Sequence, residues 1–223
     1  MIKGILFDLD NTLIDFMTMK KKTCEAAVSA MIGAGVELEK EDALRVLFEL
    51  YDEHGWEYSL IFQRFLEKIK KRIDYKILAA GVIAYRKAQQ AFMQPYAGVV
   101  PTLLKLKQKG IKLAIVTDAP RLKAWMRLTE LGLHDFFDVV VAYGDVREKK
   151  PSKLPFLRAL KLLELDAGDV LMVGDWPERD IVGARAVGIQ TCFARYGYTG
   201  KEGATVKAQY TIDQIEELVE IVG

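Results

Sequence analysis

Asp8 and Asp10 stand two residues apart at the end of the apolar run Ile5-Leu6-Phe7. Along an extended strand, residues i and i+2 share a side. Two carboxylates so placed repel unless a cation, a shared proton or solvent relieves them. Further reactive groups end other apolar runs or follow them. Thr117-Asp118 closes KLAIVTD (Lys112 to Asp118), and Lys150 lies in the loop after DVVVAYGD (Asp138 to Asp145). Asp175 closes DVLMVGD (Asp169 to Asp175), and Asp180 follows it. Taken singly, each has an ordinary explanation: a solvated loop, a capping threonine, a surface lysine. Together they offer carboxylates to a hard divalent cation, and hydroxyl and ammonium donors to an anion. Phosphoryl transfer needs this combination, because its catalysis is largely charge neutralisation and positioning. Oxygen ligands completed by water favour magnesium over zinc. His54 and His134 are the only histidines, and neither has a partner at ligand spacing.

The elements that must position these groups follow from the apolar pattern. Lys3 to Asp8 reads as a buried strand, and the three runs above, with Ile189 to Arg195, read as further strands. Between them lie helical patterns at Val99–Lys109, Arg121–Leu131, Lys153–Leu163 and Asp180–Ala186, and an amphipathic segment over Ile212–Val222 closes the chain. Near-continuous apolar strands alternating with helices predict an α/β fold, a Rossmann-like parallel sheet covered by helices on both faces. In such a sheet, ligands bind beyond the carboxyl ends of the strands, where the reactive groups fall. Residues 16 to 94 break the alternation with helical patterns only, near 16–31, 40–53, 58–71 and 75–93. That is too long for a connecting loop. The expectation is a core of residues 1–15 and 95–223 with an inserted all-helical domain, 16–94.

Composition excludes several partners. The 223 residues carry 32 basic and 31 acidic side chains, a net charge of +1, which gives no footprint for nucleic acid. The basic runs Lys20-Lys21-Lys22 and Lys68 to Arg72 read as solvated helix faces. No run approaches membrane-spanning length and no secretory signal is evident, so a cytoplasmic protein is expected. Cys24 and Cys192 lie far apart without metal-ligand spacing. One asparagine, Asn11, beside 28% charged residues is a composition associated with heat-adapted proteins.

With these residues in order, the chain resembles the haloacid dehalogenase-like superfamily, in its phosphatase branch. The family's DxDx[TV] motif matches Asp8-Leu9-Asp10-Asn11-Thr12, and its strand ending in Thr or Ser matches Thr117 in AIVTD. Its Lys followed by Pro matches Lys150-Pro151, although the second proline of the usual KPxPxxF shape has moved to Pro155 while Phe156 keeps its distance. Its GDxxxxD matches Gly174-Asp175 through Asp180. The resemblance implies that Asp8 is the nucleophile and that Asp10 serves as acid and then base. It implies Mg2+ held by the Asp8 and Asp175 carboxylates and the Asp10 backbone carbonyl. Thr117 and the backbone N–H of Asp118 would hold phosphoryl oxygens, Lys150 would offset charge, and Asp180 would position Lys150 or metal-bound water. The inserted helical domain would be a cap over the site.

Two residues depart from the family's pattern: Asp118 stands where Asn is common, and Trp176 where Ser is frequent. An acid at 118 is unfavourable beside a phosphate unless its side chain turns away. The family's other reactions remain as alternatives. A 2-haloacid dehalogenase lacks the second Asp of the first motif, whereas a sugar-phosphate mutase uses the same groups. Receiver domains combine Asp, Thr and Lys but are shorter, and a non-enzymatic phospho-acceptor or binding module would not need the whole motif set. The expected partner is a small-molecule phosphate ester, and the expected state a monomer. Within the insertion, Phe16, Lys20, Lys22 and Arg64 are candidates for groups facing substrate.

Overall fold

A computed structural model describes residues 1–200 and 206–223. In chain order, strand β1 (Gly4–Phe7) leads into helices α1 (Phe16–Gly33), α2 (Lys40–His54), α3 (Ile61–Lys70) and α4 (Tyr75–Phe92). Then come α5 (Val99–Gln108), β2 (Lys112–Pro120), α6 (Arg121–Glu130), β3 (Val139–Tyr143) and α7 (Lys153–Leu163). The chain continues through β4 (Val170–Gly174), α8 (Val182–Arg185), β5 (Gln190–Ala194), β6 (Tyr210–Ile212) and α9 (Leu218–Ile221). It divides into two compact units: Met1–Asp15 with Gln94–Gly223, and Phe16–Met93.

In the α/β unit the strands form one sheet in the order β3-β2-β1-β4-β5-β6, with every neighbouring pair parallel. The four residues of β1 and the five of β4 are all buried, as strands covered on both faces must be. Leu6, Ala114, Val116 and Met172 pack with Phe156, Ala159 and Leu163 of α7. Ile5, Phe7, Leu113, Ile115 and Val173 alternate with them along the strands and are fully buried toward the opposite side. The strand order reverses between β1 and β4, a topological switch point, and such a point opens a crevice at the carboxyl ends. Asp8 follows Phe7, the last residue of β1, and Asp175 follows Gly174, the last residue of β4.

The loop after β1 is held in shape by three features. Asn11 adopts a left-handed conformation, φ 60°, which asparagine tolerates better than most side chains. The Tyr196 hydroxyl donates to the Thr12 carbonyl at 2.7 Å. Gly197 presses against the same turn so closely that a Cβ built there would lie 1.6 Å from the Asn11 carbonyl oxygen. The chain leaves and re-enters the unit side by side: Asp15 N–H donates to the Gln94 carbonyl at 3.3 Å, and Tyr96 N–H to the Leu13 carbonyl at 3.0 Å.

The C-terminal segment differs from the helix expected over Ile212–Val222. Ile212 ends β6, paired with Ala194, and helical turns begin only after Gln214. A capping box stops the helix there: the Glu217 carboxylate accepts the Gln214 N–H at 2.8 Å while the Gln214 side chain caps in return. The three-residue spacing of Ile212, Ile215 and Leu218 is therefore shared between a strand and a helix. The helix expected from Asp180 likewise starts earlier, as a wide turn over Pro177–Ile181 that runs into α8, with Pro177 at its first position.

The helical unit has its own core, built from Ala27, Val28 and Met31 of α1, Leu47 and Tyr51 of α2, Phe65 and Leu66 of α3, and Ile77 of α4. Of the insertion residues singled out in the sequence, Phe16 and Lys20 are buried. The Lys20 ammonium lies 4.2 Å from the Tyr51 ring centre and 3.1 Å from the Tyr85 hydroxyl, a cation–π arrangement that offsets part of its desolvation. Lys22 and Arg64 are exposed and pair with Glu25 and Glu67 at 3.4 and 3.0 Å. Cys24 and Cys192 are both buried free thiols.

The close approach of Gly197 yields a stability test. Gly197→Ala must displace backbone rather than a flexible side-chain end, and overpacking of this kind costs about 1–3 kcal/mol. Urea unfolding of the two proteins should show that loss, and an unchanged midpoint would contradict the contact.

Candidate active site

The site forms because parallel strands in register deliver their next residues to one edge. Phe7 is level with Val173 on β4 and with Ile115 on β2. Asp8 and Asp175 therefore emerge on adjacent strands, and Thr117 emerges two residues beyond Ile115. Pairing between β2 and β3 shifts register between Val116 and Pro120. Such irregularities re-aim side chains at sites. Within that stretch the Thr117 hydroxyl oxygen accepts the Ala119 N–H at 3.1 Å.

Lys150 joins the pieces. Its ammonium donates to Asp8 Oδ1 at 2.7 Å and to Asp180 Oδ1 at 2.6 Å, and its side chain is only 3% exposed. Burial alone would favour the neutral amine, but the carboxylates of Asp180 and Asp8 outweigh it and hold the lysine charged well beyond its ordinary range. The second oxygen of Asp180 accepts the Trp176 N–H at 3.0 Å. Gly174 leaves room for this arrangement, because a Cβ there would lie 2.3 Å from the Asp180 carboxylate. The Lys150–Pro151 peptide is cis.

Asp8, Asp175 and Asp180 can each bring one carboxylate oxygen within 4.8 Å of the others. Burial, then the charges of Asp8 and Asp180, push Asp175 well above the usual carboxylate range, against Lys150 and a hydrogen bond from Thr12. Asp180 is pushed up to about 6 by burial, with Lys150 opposing and Asp8 adding to the rise. Three buried acids face one ammonium. An oxygen-only donor set with this surplus of negative charge fits a hard divalent cation.

Asp118 resolves the concern raised by its charge. Its Oδ1 accepts the backbone N–H of Lys150 at 2.9 Å and its Oδ2 lies 3.5 Å from Arg179, so the carboxylate is committed to bracing the Lys150 loop. Trp176 stacks on the Arg179 guanidinium, 4.3 Å from ring centre to carbon, and forms an exposed rim. Asp10 is gripped by Arg127: Nη1 to Oδ2 is 2.6 Å. Direct contacts thus join Lys150 to Asp8 and Asp180 and, through its backbone, to Asp118. Asp175 sits within the acidic cluster, Thr117 takes its place by register, and Asp10 is engaged from α6.

Three polar contacts were not foreseen from the sequence: Arg127, Arg179 and Thr12, whose hydroxyl donates to Asp175 at 3.2 Å. Arg127 did leave a signal. Ala124 and Leu128 are buried on α6, and Arg127 falls on their side while Leu122, Trp125 and Met126 are exposed. A charge on the apolar stripe of a helix asks for a partner.

The family model for haloacid dehalogenase-like hydrolases matches residues 5–194. The chain belongs to that family. Over 222 residues it is 34% identical to a glyceraldehyde 3-phosphate phosphatase of Methanocaldococcus jannaschii, covering all of this chain and 97% of the relative. It is 31% identical over 202 residues to a phosphoglycolate phosphatase of Neisseria gonorrhoeae, covering 88% of this chain and 81% of the other. Among solved structures, the crystal structure of a HAD phosphatase from Thermococcus onnurineus aligns with a TM-score of 0.70 at 28% identity, over all of this chain and 98% of that one. Among the described residues, no helix is long and apolar enough to cross a membrane.

Removing one partner of a buried, hydrogen-bonded ion pair costs about 3–5 kcal/mol, and Lys150→Met should lose that much at neutral pH without metal. The sign of its pH dependence follows from Asp180. Without the ammonium, burial and Asp8 raise the folded-state pKa of Asp180 still further above its unfolded value. Asp180 of the folded variant then takes up its proton at a higher pH than in the wild type, so the deficit shrinks as pH falls toward about 6 and changes little further below it. Denaturation of both proteins at about pH 7.5 and about pH 5, either side of that value, checks it. A deficit that grows in acid would contradict the assignment.

Proposed function

We propose that this protein is a magnesium-dependent phosphatase of small organic phosphate monoesters that works through an aspartyl-phosphate on Asp8. The reading is carried by one observation: the Asp8 carboxylate is paired with the buried Lys150 ammonium inside an acidic cluster. A carboxylate nucleophile must remain ionised and be brought against an anion, and a lysine held charged serves both needs. The phosphatase names of its relatives support the same chemistry, and their substrates point to small organic phosphates.

In this mechanism an Asp8 oxygen attacks phosphorus, the ester P–O bond breaks, and its electrons leave on the alcohol oxygen, which takes a proton from Asp10. Water then attacks the phosphorus of the Asp8 phosphate and gives its proton to Asp10, while the bond from phosphorus to the Asp8 oxygen breaks, its electrons return to the carboxylate, and inorganic phosphate departs. Thr117 and the backbone N–H of Asp118 hold phosphoryl oxygens, while Lys150 offsets charge on both the nucleophile and the phosphoryl group. Asp180 keeps Lys150 in place. The carboxylates of Asp8 and Asp175 and the Asp10 backbone carbonyl would hold Mg2+, with Thr12 orienting Asp175. When bound, the cation supplies positive charge to a site where three acids face one lysine. The helical unit, 16–94, acts as the cap that excludes water and selects substrate.

Two measurements test this. Asp8→Asn should reduce hydrolysis of p-nitrophenyl phosphate to background with an unchanged circular dichroism spectrum. Retained turnover would remove Asp8 as nucleophile. Treating the wild-type enzyme with a chelator should abolish the same hydrolysis, and added Mg2+ should restore it. Full activity in excess chelator would remove the metal.

A further inference from the structure

Arg127 lies on α6, 117 positions along the chain from Asp10, yet its guanidinium reaches the Asp10 carboxylate at 2.6 Å. The arginine side chain is 7% exposed and the aspartate side chain 22% exposed. Burying a guanidinium and fixing its long side chain both cost free energy. The cost needs an offset, and the Asp10 carboxylate supplies one.

An arginine in a protein cannot give up its proton, and it offers only donors. It therefore performs no acid or base step. What a guanidinium can do is fix the direction of a carboxylate. Resting on the phosphatase reading above, we infer that Arg127 is a positioning residue for proton transfer: it fixes the direction of the Asp10 carboxylate, and so the place from which Asp10 serves the leaving group. Its influence then depends on how much the departing oxygen needs a proton. An alkoxide leaves poorly without one, whereas p-nitrophenolate leaves without help.

The test compares kcat/KM for glyceraldehyde 3-phosphate and for p-nitrophenyl phosphate, since kcat/KM covers the steps through departure of the alcohol. General acid catalysis contributes roughly 10²–10⁴-fold, and mispositioning forfeits part of it, so Arg127→Gln should lower the alkyl value about 10–30-fold and the aryl value by no more than about 3-fold. The ratio of the two, taken on one preparation, is independent of the fraction folded. Arg127→Lys, which restores the charge without the planar fork, should give an intermediate ratio. In an Asp10→Asn background, where the ratio is already shifted, adding Arg127→Gln should not move it further. Equal losses on both substrates, or a further shift in the Asp10→Asn background, would reduce Arg127 to a structural support and overturn the inference alone. A wild-type enzyme inactive on both esters overturns the phosphatase reading and this inference with it.

Discussion

The structure turns on how five acids are tolerated at one end of a sheet. Asp8, Asp175 and Asp180 are buried together, and Asp10 and Asp118 lie in the adjoining segments. Left alone, these carboxylates would repel and take up protons. Each is instead given a partner from a distant segment: Lys150 for Asp8 and Asp180, Arg127 for Asp10, Arg179 for Asp118, and Thr12 for Asp175. The Lys150 bridge is the most deeply buried of these ion pairs and ties the loop after β3 to the ends of β1 and β4. Charge remains in excess around Asp175 even so, which is the physical reason for assigning a cation there.

This balance explains why the sheet has the order it does around the site. Placing β1 between β2 and β4 brings the first acid of the chain beside residues more than one hundred positions later. Parallel pairing in register sets the heights at which Asp8, Thr117 and Asp175 emerge. The turn after β1 is then fixed by Asn11, Tyr196 and Gly197, so that Asp10 is presented at a defined place. Packing therefore acts on chemistry through the backbone as well as through side chains.

Much of this was legible in the sequence because its signals are local. Apolar runs ending in Asp or Thr mark strands and the polar groups at their carboxyl ends together, so β1, β2, β4 and the acids beyond them could be read directly. The break in alternation after Asp15 marked the helical insertion. Other features were hidden for identifiable reasons. Ile212 keeps helical spacing with Ile215 and Leu218 but is claimed by the sheet, because the Gln214–Glu217 capping box starts the helix later. Arg179 resembles any solvated arginine until a tertiary contact supplies Asp118, and Arg127, although it stands on the apolar stripe of α6, finds its partner Asp10 only through the fold. Asp118, read from sequence as an unfavourable charge, has one oxygen taken by a backbone N–H that only the folded Lys150 loop brings to it.

All of these observations serve one proposed event, the transient attachment of a phosphoryl group to Asp8. Acid quenching during turnover of a phosphate ester, followed by peptide mass mapping, measures that event directly. The account predicts phosphoryl mass on the peptide carrying Asp8, lost on treatment with hydroxylamine. Steady turnover with phosphoryl mass on a different residue, or with none on any residue at the quench, would contradict it.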